Sequence, residues 1–131
     1  MPATETLQQT SPYRLYFNRV INSTSSNILA FLFVFGISQL LTASAASVLF
    51  GIPTVVFRCY IHYFPRFNGH WNTQAIIITY LTAPLFALFC MLLSRIMYNG
   101  SSESMRARRE FWSWVRLHAI NLCFGCLLSG V

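Results

Sequence analysis

A run of twenty residues without a charge, Ala75 to Ser94, constrains the fold of this chain more than any other stretch. A helix over this run is about 30 Å long at ~1.5 Å per residue, which matches the hydrocarbon core of a bilayer. Thr73 and Gln74 bound the run on one side and Arg95 bounds it on the other. The run therefore predicts a transmembrane helix over residues 74–95.

Small residues on this predicted helix repeat at intervals of three or four and so share one face: Thr79, Ala83, Ala87, Cys90 and Ser94. Apolar helices gain nothing from hydrophobic contact in lipid, and close approach through small side chains is what lets them pack. We expect this face to contact another helix. The spacing does not tell whether that helix belongs to this chain or to a partner.

The composition also indicates a membrane protein, because 55% of the residues are apolar and only 9% are charged, whereas soluble domains have about 25% charged residues. The net charge of +6 comes from nine arginines against Glu5, Glu103 and Glu110. Arginines at the ends of membrane spans explain this charge without nucleic acid. No nucleic-acid partner is predicted.

A second uncharged run, residues 27–57, is longer than one span needs. We place a transmembrane helix at about residues 28–50 and its end or a kink at Gly51–Pro53, since proline cannot continue the hydrogen-bond ladder. A second packing face is predicted from the residues Gly36, Gln39, Ala43 and Ser47. The Gln39 amide requires a hydrogen-bond partner in lipid, and we interpret it as a packing group rather than a substrate contact.

The segments around these spans are polar or aromatic. Residues 1–26 predict a short helix lying in the headgroup layer, interrupted at Asn22–Asn27. The loop 58–72 carries aromatic rings typical of the water–lipid boundary. His62 and His70 lie in this loop without a neighbouring carboxylate or cysteine pair, so they predict no metal site.

The solvated loop 99–110 contains the basic residues Arg106, Arg108 and Arg109. Such a cluster beside a membrane is expected to contact anionic lipid headgroups, and docking of an acidic partner is the alternative.

A third apolar segment covers residues 114–131, with Trp114 as an interface anchor and Arg116 reaching back to the surface. Eighteen residues make a marginal span, so we expect either completion by neighbours in a complex or a chain that continues past Val131. The predicted fold is thus an all-α integral membrane protein with an N-terminal segment (1–26) and a transmembrane domain (27–131). It has two transmembrane helices, a third short or truncated one, and an interfacial N-terminal helix.

The distribution of arginines predicts the orientation. Seven arginines fall on the side of the N-terminus and the loop 99–110, whereas Arg58 and Arg66 fall on the other side. The positive-inside rule makes the arginine-rich side cytoplasmic, or the matrix in an organelle. We expect a multi-pass protein of a bacterial inner membrane or an organelle membrane.

Only the pair Cys123 and Cys126 suggests a reactive site. The two cysteines are three residues apart and therefore share one helical face. Such a pair can exchange disulfides or pass electrons to a quinone, but no second cysteine pair accompanies it, and packing of small residues is the favoured interpretation. His118, Asn121, Gly125 and Ser129 form a polar stripe on the same segment. A haem would need a second facing histidine, so no cofactor is predicted.

These features favour a non-enzymatic role. The leading hypothesis is a small accessory subunit that packs with other integral membrane subunits and contacts lipids, including anionic headgroups. A thiol and quinone redox enzyme using Cys123 and Cys126 is one alternative. An oligomeric channel or transporter lined by Ser38, Gln39, Thr42 and Ser47 is the other.

Overall fold

The computed structural model describes residues 12–57, 60–63, 71–102 and 105–129. This part of the chain forms three helices and one β-hairpin. The elements in chain order are α1 (Pro12–Leu49), β1 (Thr54–Phe57), β2 (Tyr60–Tyr63), α2 (Thr73–Asn99) and α3 (Arg106–Ser129).

Helix α1 is continuous over 38 residues, with two π-helical turns at Leu32–Gly36 and Ala45–Leu49. The sequence predicted a break at Asn22–Asn27, and the structure carries the helix through it. Serine, threonine and asparagine cost a helix at most about 0.7 kcal/mol each relative to alanine. Tertiary contacts offset this, because Ser23, Ser26 and Asn27 are half-buried.

Gly51 ends helix α1 by adopting a left-handed conformation with φ of 65°. Its N–H donates to the Ser47 carbonyl at 3.0 Å, and the Ile52 N–H donates to the Ala46 carbonyl at 3.1 Å. These bonds satisfy carbonyls that a helix end would otherwise leave unpaired. The chain is thereby turned into the hairpin.

The β-hairpin covers the junction between α1 and α2. Its strands pair antiparallel, with Thr54 opposite Tyr63 and Phe57 opposite Tyr60. The Thr54 hydroxyl donates to the Ala43 carbonyl of α1 at 3.2 Å, and the rings of Tyr63 and Trp71 meet edge to face at 5.1 Å. Sequence reasoning assigned this region to the end of an apolar run and a loop. The β-branched and aromatic residues of both strands favour the pairing.

Burial raises the pKa of the Tyr63 phenol, and the nearby Tyr80 adds to the rise. The hydroxyl of Tyr63 therefore stays protonated in the folded hairpin at neutral pH.

Helices α2 and α3 form an antiparallel pair. Asn72 caps α2, since its Oδ1 accepts from the Ala75 N–H at 2.7 Å. At the other end, the Ser101 hydroxyl donates to the Met97 carbonyl at 2.6 Å. The solvated loop predicted over 99–110 is shorter than expected, because the arginine-rich segment is already helical from Arg106, and arginine is a good helix former.

Helix α1 does not run straight along the α2–α3 pair. Phe33 lies near the start of α3 at Phe111, and Ala46 packs with Ala75 at the opposite end of the pair. Asn27 precedes Phe33 yet contacts His118, which is farther along α3. A straight helix parallel to the pair cannot make all three contacts. The π turn at Leu32–Gly36 lies between Asn27 and Ala46. Helices commonly kink at turns of this type.

Small side chains fill the interior and large apolar side chains cover the outside. One buried cluster contains Ala30, Val34, Cys90, Val115 and Ala119. Exposed apolar residues include Leu40, Val48, Ile77, Leu85, Phe89, Leu92 and Ile96. This distribution is the reverse of a soluble core, where large apolar side chains are inside.

Helices α1 and α2 are both long and apolar enough to span a membrane. Signal sequences and core helices of soluble proteins share this length and composition, but a soluble core helix is mostly buried. Here 22% and 17% of the apolar stretches of α1 and α2 are buried. Helix α3, over its described residues, does not meet the same measure. The predicted span over 114–131 stays a prediction.

Candidate functional site

The small-residue face of α2 is packed inside the described part of the chain. Thr79, Ala87, Cys90 and Ser94 are buried and Ala83 is half-buried. The Ser94 hydroxyl donates to the Met91 carbonyl at 2.8 Å. The neighbours of this face are α1 and α3 of the same chain. It is therefore not left open for a partner.

The buried face of α1 differs from the face predicted for it. Of the predicted residues, Ala43 is buried, Gly36 and Gln39 are half-buried, and Ser47 is exposed. The buried positions are instead Ala30, Val34, Ser38, Ala43 and Ala46. Successive buried positions lie four, four, five and three residues apart, and each of the two π turns holds an extra residue relative to an α-helical turn.

The polar residues predicted to line a transport path on α1 do not share one surface. Ser38 is buried, Gln39 and Thr42 are half-buried, and Ser47 is exposed. The Thr42 hydroxyl donates to the Ser38 carbonyl at 2.9 Å, which satisfies it within its own helix. The lining of a transport path by these residues stays a prediction.

A hydrogen bond joins α1 to α3 between Asn27 Oδ1 and His118 Nε2, which lie 2.7 Å apart. Both residues are half-buried. The Phe31 and Phe35 rings meet the imidazole edge to face at 5.6 and 6.1 Å, and the Trp114 ring stacks on it at 6.4 Å. The pair fixes the level at which the two helices meet.

Sequence reasoning identified His118 but not its partner, because Asn27 was assigned to a helix cap. Asn27 could have been identified from the sequence, because it is an amide at the polar edge of an apolar helix. His118 is the one histidine in a predicted span, so the two residues could have been paired. No third polar side chain joins the pair among the described residues. The arrangement joins the two helices.

The three arginines predicted to act together occupy different surroundings. Arg108 donates to the sulfur atoms of Met97 at 3.4 Å and Met105 at 3.9 Å. The Arg109 guanidinium lies 4.7 Å from the centre of the Tyr98 ring, and its Nε is buried without a partner in the described part of the chain. Arg106 is exposed.

Arg106 and Arg109 line an open cavity of about 660 Å³ at the turn between α2 and α3, which we call the basic groove. Its other walls are Tyr98, Glu110, Ser113 and Trp114. A second cavity of about 360 Å³ continues along α3 and is lined by Ser113, Trp114, Arg116, Leu117 and Ile120. We call it the apolar furrow. The two cavities share Ser113 and Trp114, so they meet.

The cysteines of α3 are thiols and not a disulfide. Cys123 and Cys126 are half-buried, and Cys90 of α2 is a buried thiol. Cys59 and His70 lie outside the described residues. Within the described ranges, no three His, Cys, Asp or Glu side chains are grouped to hold a metal ion.

The outer face of α3 carries an amide and a glycine among apolar residues. Asn121 and Gly125 are exposed, and a Cβ built at Gly125 would meet nothing within 4 Å. Leu117, Phe124 and Leu128 on this helix are exposed as well. Within the described part of the chain, Asn121 makes no hydrogen bond with its side chain. Sequence reasoning placed His118, Asn121 and Gly125 in one stripe, but only His118 turns inward.

Comparisons with protein-family models, with curated proteins and with solved structures gave no match. The function is therefore argued from the surfaces of this chain itself.

Proposed function

We propose that the chain is a multi-pass membrane protein that acts as an accessory subunit, packing with other integral membrane subunits through the outer face of α3. The observation that carries this proposal is the exposed Asn121 amide. It lies in the apolar part of α3, between the exposed residues Leu117 and Phe124.

An amide that faces hydrocarbon without a hydrogen-bond partner is unfavourable by several kcal/mol on transfer scales. Interhelical hydrogen bonds from asparagine are a common way to satisfy such a group. Gly125 lies one turn farther along and leaves open space at its Cα. A second helix could approach closely there and pair with Asn121, which is the arrangement that small and polar residues produce in membranes.

The membrane location is supported by the exposed apolar surfaces of α1 and α2. Leu85, Phe89 and Leu92 on α2 are exposed by 59%, 57% and 64%, which suits contact with acyl chains. The arginine distribution supports an orientation with the N-terminus and the α2–α3 turn on the cytoplasmic or matrix side. The hairpin then faces the opposite side.

The proposal is tested by extracting the full chain from its native membrane in a mild detergent and running native gels. Wild-type protein is expected to migrate within a larger complex. Asn121→Leu is expected to release it, whereas Ser44→Leu, an exposed polar-to-apolar change on α1, is expected to leave the complex intact. Migration of the wild-type protein as a monomer would contradict the proposal. Equal release by both variants would place the interface elsewhere.

A further inference from the structure

We propose that the basic groove and the apolar furrow together bind one anionic phospholipid, with its phosphate at Arg106 and Arg109 and an acyl chain along Trp114, Leu117 and Ile120. This inference rests on the membrane location proposed above but not on the presence of a partner subunit.

Arg109 is held in a position where it can bind an anion. Its guanidinium lies over the Tyr98 ring at 4.7 Å, a cation–π contact that restrains its position. Its Nε is buried and has no partner among the described residues. Arg109 also lines the basic groove, where a phosphate oxygen would form a charge-assisted hydrogen bond with its guanidinium.

The three arginines of this segment have different surroundings. Arg108 is turned to two methionine sulfurs and does not line the groove, whereas Arg106 and Arg109 do. A merely solvated basic run would not distinguish its members. The groove therefore selects two of the three, and Ser113 adds a hydroxyl beside them.

The two cavities are adjacent along α3, which favours a phospholipid over a free anion. The basic groove and the apolar furrow meet at Ser113 and Trp114. Leu117 and Ile120 then continue the wall along α3, toward the apolar part of the helix. Arg116 also lines the furrow, beside Leu117 and Ile120. A free phosphate needs only the first cavity, whereas a phospholipid presents a charged head and an apolar chain in this order. Trp114 between them suits the boundary of headgroup and acyl chain.

Glu110 opposes binding, because its carboxylate also lines the basic groove. Among the described residues it forms no ion pair with Arg106 or Arg109. Glu110 therefore allows a test in which a substitution strengthens lipid binding rather than weakening it. Removal of its charge is expected to strengthen binding of the anionic lipid.

The experiment uses the full chain in neutral detergent, with retention of added phosphatidylglycerol or phosphatidylcholine measured by native mass spectrometry. Preference for phosphatidylglycerol is expected in the wild type. Arg109→Gln and Arg106→Gln are each expected to weaken its binding by about five-fold, and Glu110→Gln to strengthen it by a similar factor. Arg108→Gln removes the same charge from the same run and is expected to change binding by less than about two-fold.

Equal losses for Arg108→Gln and Arg109→Gln would overturn the site and indicate unspecific attraction to a basic surface. Inorganic phosphate serves as the second probe. Competition by millimolar phosphate together with no effect of Ile120→Ser on lipid retention would show a free-anion site and contradict the phospholipid. If the wild-type chain retains no phosphatidylglycerol but still migrates within a larger complex, the lipid site is contradicted and the proposed subunit role is not.

Discussion

The inner face of α2 and the outer face of α3 carry similar residues and have opposite surroundings. On α2, Thr79, Ala87, Cys90 and Ser94 are buried against the other two helices. On α3, Asn121 and Gly125 repeat at the same helical spacing and are exposed. Small residues at intervals of three and four thus mark helix contacts, but their spacing does not tell whether the contact lies within one chain.

The two faces differ because other helices of the chain cover the α2 face and leave the α3 face exposed. The α2–α3 turn is short, so it brings the small face of α2 directly against α3. Once α1 lies across the pair, His118 is turned toward Asn27, and the next turns of α3 leave Asn121 and Gly125 outside. The same sequence signal therefore supports folding on one helix and, as we propose, assembly on the other.

The largest expected effect comes from enlarging a side chain on the inner face. Ala87 is fully buried, so Ala87→Leu is expected to destabilise the fold by about 1–3 kcal/mol through overpacking. Thermal unfolding of the detergent-solubilised protein would measure the change. Ser47→Leu is the matched control, because Ser47 was also assigned to a packing face but is exposed. A similar loss in both variants would mean that the two faces do not differ as described.

A smaller effect is expected from the bond between α1 and α3. His118→Leu removes the partner of Asn27, and measured interhelical hydrogen bonds in membranes average about 0.6 kcal/mol, with a maximum near 1.7. We expect a coupling energy in this range from a double-mutant cycle with Asn27→Leu. A coupling energy of zero would show that the 2.7 Å contact contributes nothing beyond the surrounding aromatic rings.

The helical character and the inward placement of α2's small residues could be anticipated, because a long uncharged run and a repeat of three and four are local signals. The hairpin Thr54–Tyr63 could not. Its strands are four residues each, too short for a periodicity to be distinguished from the end of the preceding apolar run. The pairing depends on contacts with α1 and Trp71, which are not local.

The register of α1 and the grouping of the arginines were missed for related reasons. A π turn has no sequence signature that composition reveals, and at the second one Ala46 rather than Ser47 lies inside. Arg108 and Arg109 are adjacent in sequence, but they point to a methionine pair and to a tyrosine ring of α2. Their different roles depend on which turn of α2 lies opposite.

The smallest expected effect on stability lies on the outer face, and it sharpens the comparison most. A side chain at Gly125 meets open space, so Gly125→Leu is expected to change the unfolding free energy of the isolated chain by no more than about 0.5 kcal/mol. Leucine is a better helix former than glycine, so any small change should be favourable. The same variant should weaken association with a partner helix, because it removes the close approach that glycine permits. Stability is measured in detergent and association by native gel, on the same preparation. A loss above about 1 kcal/mol in the isolated chain would mean that this face is already packed within the fold, and the two faces would then serve the same purpose.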